Sequence, residues 1–84
     1  MPITSKKFED LGYYTLRYND HEVVYEQTVY GDSNPYFKRI DILLDDNSVT
    51  ATRCYLTHTK WENTELTVEE TDAISDLFEQ YNNI

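Results

Sequence analysis

Cysteine is almost missing from this chain. With Cys54 alone, no internal disulfide can form and paired-thiol redox chemistry is excluded, so the usage fits a reducing cytosol better than a cross-linked secreted scaffold. Glycine and proline are equally scarce, two of each. No Gly-rich elbow presents a serine as a nucleophile, and Ser5, Ser33, Ser48 and Ser75 fall in capping, turn or helical contexts. A chain this small with so few backbone punctuators is better suited to binding than to building a catalytic pocket. No apolar run approaches the roughly 20 residues of a membrane span, and the opening residues lack the hydrophobic stretch of a signal peptide. A soluble, cytoplasmic protein is therefore expected. Basic residues are also short in supply, seven against sixteen acids, for a net charge of −9. Phosphate contacts need Lys and Arg to displace counterions, so direct nucleic-acid binding is disfavoured and a basic partner is easier to accommodate.

What is present suffices for one folded domain of 84 residues, because 39% apolar and 14% aromatic residues are too many for a disordered chain. The clearest element is Thr67 to Tyr81. Ile74, Leu77, Phe78 and Tyr81 recur at the three-and-four spacing of one helical stripe, with Thr71 one turn earlier and acids on most of the other face. Thr67 followed three residues later by Glu70 reads as a capping box. Near the start, Ser5 caps a short helix or helical turn over residues 5–11, with Phe8 and Leu11 on one face and Gly12 free to take the positive φ that ends it.

From Tyr13 the period becomes two, and a strand runs to Tyr18. A turn centred on Asp20 and His21 sets Tyr18 opposite Val23 and Leu16 opposite Tyr25. Val23 to Val29 is a second strand, Tyr30 to Pro35 a loop, and Tyr36 to Leu44 a third strand with Ile40, Ile42 and Leu44 on one face. Asp45-Asp46-Asn47 turns the chain into a fourth strand, Ser48 to Tyr55. A two- or four-residue connection sends Val49, Ala51 and Arg53 to the Ile42 side, whereas a three-residue one sends Thr52 and Cys54 there; the first is preferred, with a bulge or strand end near Arg53. Leu56 to Leu66 reads as an ordered connection in which Trp61 folds back over a sheet edge or a helix end. The expected architecture is α+β: a four-stranded antiparallel meander, or a three-stranded variant, with the C-terminal helix on one face and a short N-terminal helical turn.

No constellation points to chemistry. Cys54 and His58 stand four apart but form only half of a zinc motif, and Asp45-Asp46-Asn47 lacks the glycine and distal glutamate of a calcium loop. No metal or cofactor is expected, and a small metal-dependent enzyme is the least favoured class. Two surfaces are candidates for partner binding. One is the outward sheet face, where Tyr13, Tyr30 and Phe37 with Arg17 and Arg39 supply residue types typical of interface anchors. The other is the acidic helix, whose Glu69, Asp72, Asp76 and Glu79 lie in a stretch from Glu62 onward that contains no Lys or Arg. Asp76 and Glu79 sit late in the helix, where negative charge opposes the macrodipole, so they do not serve helix stability.

The segments Phe8-Glu9-Asp10-Leu11-Gly12-Tyr13, Tyr25-Glu26, Ile40-Asp41-Ile42, Leu66-Thr67-Val68-Glu69-Glu70 and Ala73-Ile74 together resemble small uncharacterised proteins of bacteriophages and prophages of Gram-positive bacteria. The resemblance implies a β-meander followed by a helix and a life in the cytoplasm of an infected host. It brings no catalytic or binding residues. The function expected from all this is a non-enzymatic acidic protein that binds and modulates a host protein. The alternative is a DNA mimic that inhibits a nuclease of the CRISPR or restriction kind, its carboxylates standing in for phosphates.

Overall fold

A computed structural model describes residues 5–31 and 34–83. Five strands follow one another in a single antiparallel sheet in the order of the sequence: β1 (Tyr14–Tyr18), β2 (Glu22–Val29), β3 (Tyr36–Leu43), β4 (Ser48–Tyr55) and β5 (Glu62–Asn63). Helix α1 (Lys6–Asp10) precedes the sheet and α2 (Val68–Asn82) follows it. The α+β meander with a covering helix is as expected, and the fifth strand is an addition. Only Thr52 with Asn63 and Arg53 with Glu62 pair there, too short a stretch to show any period in the sequence. The loop expected from Tyr30 to Pro35 includes Asp32 and Ser33, which lie outside the described residues.

Both helices are specified locally at their starts. The Thr67 side chain accepts from the Glu70 N–H at 3.1 Å, and the Glu70 carboxylate accepts from the Thr67 N–H at 2.9 Å, a capping box worth about 1 kcal/mol. Ser5 Oγ accepts from the Lys7 N–H at 3.2 Å, and Gly12, with φ +92°, turns the chain out of α1. A side chain at that φ would be strained, and its Cβ would also stand 3.1 Å from Gln27 Oε1.

The ladder fixes which residues share a face. Ile40 opposes Ala51 and Ile42 opposes Val49, with Leu43 to Ser48 closing a four-residue connection through Asn47 at φ 53°. This is the preferred register, and it carries Arg53 to the same side, opposite Lys38. Of the bulge or strand end expected near Arg53, the structure shows the end: β3 and β4 pair without a bulge to Tyr36 and Tyr55, and β4 stops two residues past Arg53. A bulge does occur in β1. Tyr18 opposes Val23 as expected, but the register shifts between Thr15 and Arg17, so Thr15 takes the place opposite Tyr25 and Leu16 is left 42% exposed.

The inner face of the sheet therefore presents Val23, Tyr25, Ile40, Ile42 and Ala51 to the helices, and with Phe8, Leu44, Ala73, Ile74 and Leu77 they form the core. Phe8 stacks on Tyr25 at 4.1 Å between ring centroids. Leu11, Val49, Leu66, Phe78 and Tyr81 pack around this centre. Thr71, counted on the apolar stripe, is exposed, and the buried side of α2 runs instead through Glu70 and Ala73. Among the described residues no helix is long and apolar enough to cross a membrane.

Candidate interaction surface

One side of the sheet carries both helices. Among the described residues the other carries none, and its side chains stand in rows that cross the strands. The central row is fixed by register: Tyr14 on β1 opposes Glu26 on β2, which opposes Arg39 on β3, then Thr52 on β4 and Asn63 on β5. Side-chain bonds tie the row together. Tyr14 Oη donates to Glu26, Arg39 donates to Glu26 Oε1 from Nη2 at 2.9 Å and from Nε at 3.2 Å, and the Arg39 guanidinium lies 4.2 Å from the centre of the Trp61 ring. Trp61 precedes β5 by one residue, which gives it the parity of Asn63 and brings it onto this outer face. Hydrogen bonds and the cation–ring contact thus tie both rings and the guanidinium into one network.

Phe37 belongs to the next row, opposite Thr28 and Cys54, and is half-buried. On the other side of the central row, Arg17 opposes Val24, which opposes Asp41. Arg17 Nε donates to Glu22 Oε1 at 2.9 Å. Asp41 Oδ1 is buried without a hydrogen-bond partner. Burial, helped by the Glu22 charge, pushes the Asp41 carboxyl above its usual range, against the opposing pull of Arg17 and Arg39. Tyr14 is also shifted upward, chiefly because it donates to the Glu26 carboxylate.

Of the sheet-face residues expected to bind, Arg17, Phe37 and Arg39 do lie together on this face. Tyr13 does not. Strand β1 begins one residue later than its alternation suggests, because the turn at Gly12 directs Tyr13 inward, where it is 4% exposed and meets Phe8 edge-on at 5.5 Å. Its hydroxyl donates to Glu70 Oε2, and burial first, then that carboxylate, hold its pKa well above the ordinary tyrosine value. Tyr30 lies past the end of β2 and is 82% exposed. Tyr14 and Trp61 take the places expected for Tyr13 and Tyr30. Neither follows from alternation: Tyr14 meets Glu26 only through the bulge at Leu16, and Trp61 depends on the two-residue β5, which leaves no pattern in the sequence.

The acidic helix is less uniform than its sequence implies. Glu70 is buried, accepting from Lys38 Nζ at 2.7 Å. Glu69, Asp72, Asp76 and Glu79 fall within about 80° of arc along about 15 Å of helix. Asp72 pairs with Lys7 at 2.9 Å, an ion pair that raises the Lys7 pKa, and Asp76 accepts from Ser5 Oγ at 3.2 Å and Gln80 Nε2 at 3.0 Å. Glu69 and Glu79 are exposed.

Cys54 and His58 do not form half a metal site in the fold: Cys54 Sγ points to the His58 carbonyl oxygen at 3.3 Å, while the imidazole meets the Tyr55 ring at 5.7 Å. Among the described residues no three His, Cys, Asp or Glu side chains converge. No family model, no curated protein and no solved structure matches the chain.

Proposed function

We propose that this chain is a non-enzymatic interaction protein, phage-encoded as its resemblance implies, which binds a host protein through the helix-free sheet face and modulates it. The observation that carries this reading is the row Tyr14–Glu26–Arg39–Trp61, with Phe37 beside it. Tyrosine, tryptophan and arginine are the residue types that dominate interface energetics, and side chains already ordered by one another lose little entropy on binding. The net charge of −9 adds long-range attraction for a basic partner. The test is to capture a partner from host lysate with the wild-type chain, identify it, and measure its affinity for Phe37→Ala and Trp61→Ala. A loss of about 2 kcal/mol or more from either change supports the reading, whereas unchanged affinity for both contradicts it.

A second reading, inhibition of a nuclease by DNA mimicry, has the single acidic stripe on α2 in its favour, with no basic residue in that helix's last turn. It is the weaker of the two because Asp72 and Asp76 already bond to α1 and its cap.

A further inference from the structure

The stretch from Leu56 to Leu66 runs along one edge of the sheet, from the end of β4 towards the start of α2. Its two ends are fixed. The Leu56 N–H donates to the Pro35 carbonyl oxygen at 3.2 Å, and Leu66 packs against the core. Between them the chain is held lightly: β5 pairs with β4 at two positions, where β3 and β4 pair at eight, and the Thr64 N–H donates to the Ala51 carbonyl oxygen at 3.0 Å. Residues 57–60, 62, 63 and 65 are exposed, and Trp61 and Thr64 are half-buried. None of these side chains forms an ion pair among the described residues.

The one large apolar side chain between those ends is Trp61, the only tryptophan of the protein, whose ring meets the Arg39 guanidinium. That contact joins the stretch to the outer face, but the outer face does not need it. Arg39 has its own bonds to Glu26, and Thr52 and Arg53 are paired with β3 on their other side. No residue from 57 to 65 belongs to the core cluster. Short pairing, few buried apolar contacts and exposed backbone mark a unit that opens at a lower free energy than the whole fold.

We infer that residues 57–65 form a strap that opens and closes on the folded domain as one unit, with Trp61 on Arg39 as its clasp. Closing seats Trp61 at the end of the row that begins at Tyr14. Opening withdraws the ring from the outer face and bares the outward edge of β4 at Thr52 and Arg53. A partner that touches Trp61 selects the closed form and holds the strap shut, since a ligand shifts such an equilibrium by its preference for one state. The strap is a property of the chain alone and holds whether or not the outer face binds a partner.

The test uses the wild-type chain and Trp61→Ala. In a urea titration of the wild type, fluorescence of the single tryptophan should change to that of an exposed indole in a transition complete before circular dichroism is lost. In native-state amide exchange read by NMR, the Thr64 amide should exchange about tenfold or more faster than the slowest amides of β2 and β3. Trp61→Ala, which removes the clasp, should speed Thr64 exchange by a factor of about three to thirty, the range of a cation–ring contact, and leave the β2 and β3 amides within about twofold. Coincident fluorescence and circular dichroism transitions would overturn the inference, as would a Thr64 amide as slow as the core. So would a Trp61→Ala variant in which Thr64 exchange is unchanged, in which the core amides speed up equally, or which no longer folds, because the strap would then be absent as a unit or inseparable from the core.

Discussion

Lys38 Nζ lies 2.7 Å from Glu70 Oε1, and both side chains are buried. The pair joins the sheet to the first turn of α2 at the point where the inner face changes from apolar to polar. Gln27, Lys38, Arg53 and Glu62 form one row across the strands there. Glu70 serves two partners outside its own helix, Lys38 and the Tyr13 hydroxyl, and through the capping box accepts from the Thr67 N–H as well. Removing one member of a buried pair strands the other charge, so Lys38→Met should cost about 3–5 kcal/mol in urea unfolding at neutral pH. A loss under about 1 kcal/mol would mean the pair is solvated.

The same carboxylate sets an acid response. Burial by itself would raise the Glu70 pKa, but the bonds from Lys38, Tyr13 and Thr67 outweigh it and hold the value below the ordinary 4.5. A folded pKa below the unfolded one contributes stability that is complete above 4.5 and is lost as pH falls through the folded value. Without Lys38 the burial effect gains weight and the Glu70 pKa rises, so protonation relieves the stranded carboxylate in the folded variant. The stability deficit of Lys38→Met against wild type should therefore be largest at neutral pH and shrink as pH falls below 4.5, as followed by urea unfolding at a series of pH values. A deficit that stays constant or grows in acid would contradict this.

Core and edge should respond oppositely to truncation. Leu77 is fully buried between helix and sheet, and Leu77→Ala should cost about 2–5 kcal/mol. Leu16→Ala should change the denaturant midpoint little, about 0.5 kcal/mol or less, because the bulge has taken Leu16 out of the core. Equal losses at the two positions would place Leu16 back opposite Tyr25.

Gly12 tests the turn that directs Tyr13 inward. Gly12→Ala should destabilise by about 1–2 kcal/mol, the cost of a side chain at positive φ together with its close approach to Gln27. A variant as stable as wild type would show that the turn tolerates another backbone.

How far the fold could be read from the sequence depended on how long each pattern persists. Eight-residue strands with β-branched and aromatic residues, and a helix with its capping box, announce themselves, and the four-residue connection at Asn47 followed from matching Ile40 and Ile42 to Ala51 and Val49. The misplaced residues lie where one residue changes parity. A bulge at Leu16 and a turn at Gly12 exchange the roles of Tyr13, Tyr14 and Leu16, and a shift of one residue is enough to flip a side chain across the sheet. Glu70 and Lys38 were legible only in part. The capping role of Glu70 is local, but its burial depends on a lysine 32 residues away in sequence. For the surface, Arg17, Phe37 and Arg39 followed from strand parity, while Trp61 joined them through a tertiary contact.

The central claim is that the outer sheet face, not the acidic helix, holds the partner. Its most direct measurement is partner affinity for two variant sets, Phe37→Ala and Trp61→Ala against Asp72→Asn/Asp76→Asn/Glu79→Gln, each at about 0.1 and about 1 M salt, where the screening length falls from about 10 to about 3 Å. The face reading predicts a loss of about 2 kcal/mol or more for the ring truncations at both salts, and under about 1 for the charge neutralisation. The reverse ranking would contradict it: neutral helix variants that no longer bind, ring variants that bind as wild type, and affinity that collapses at high salt.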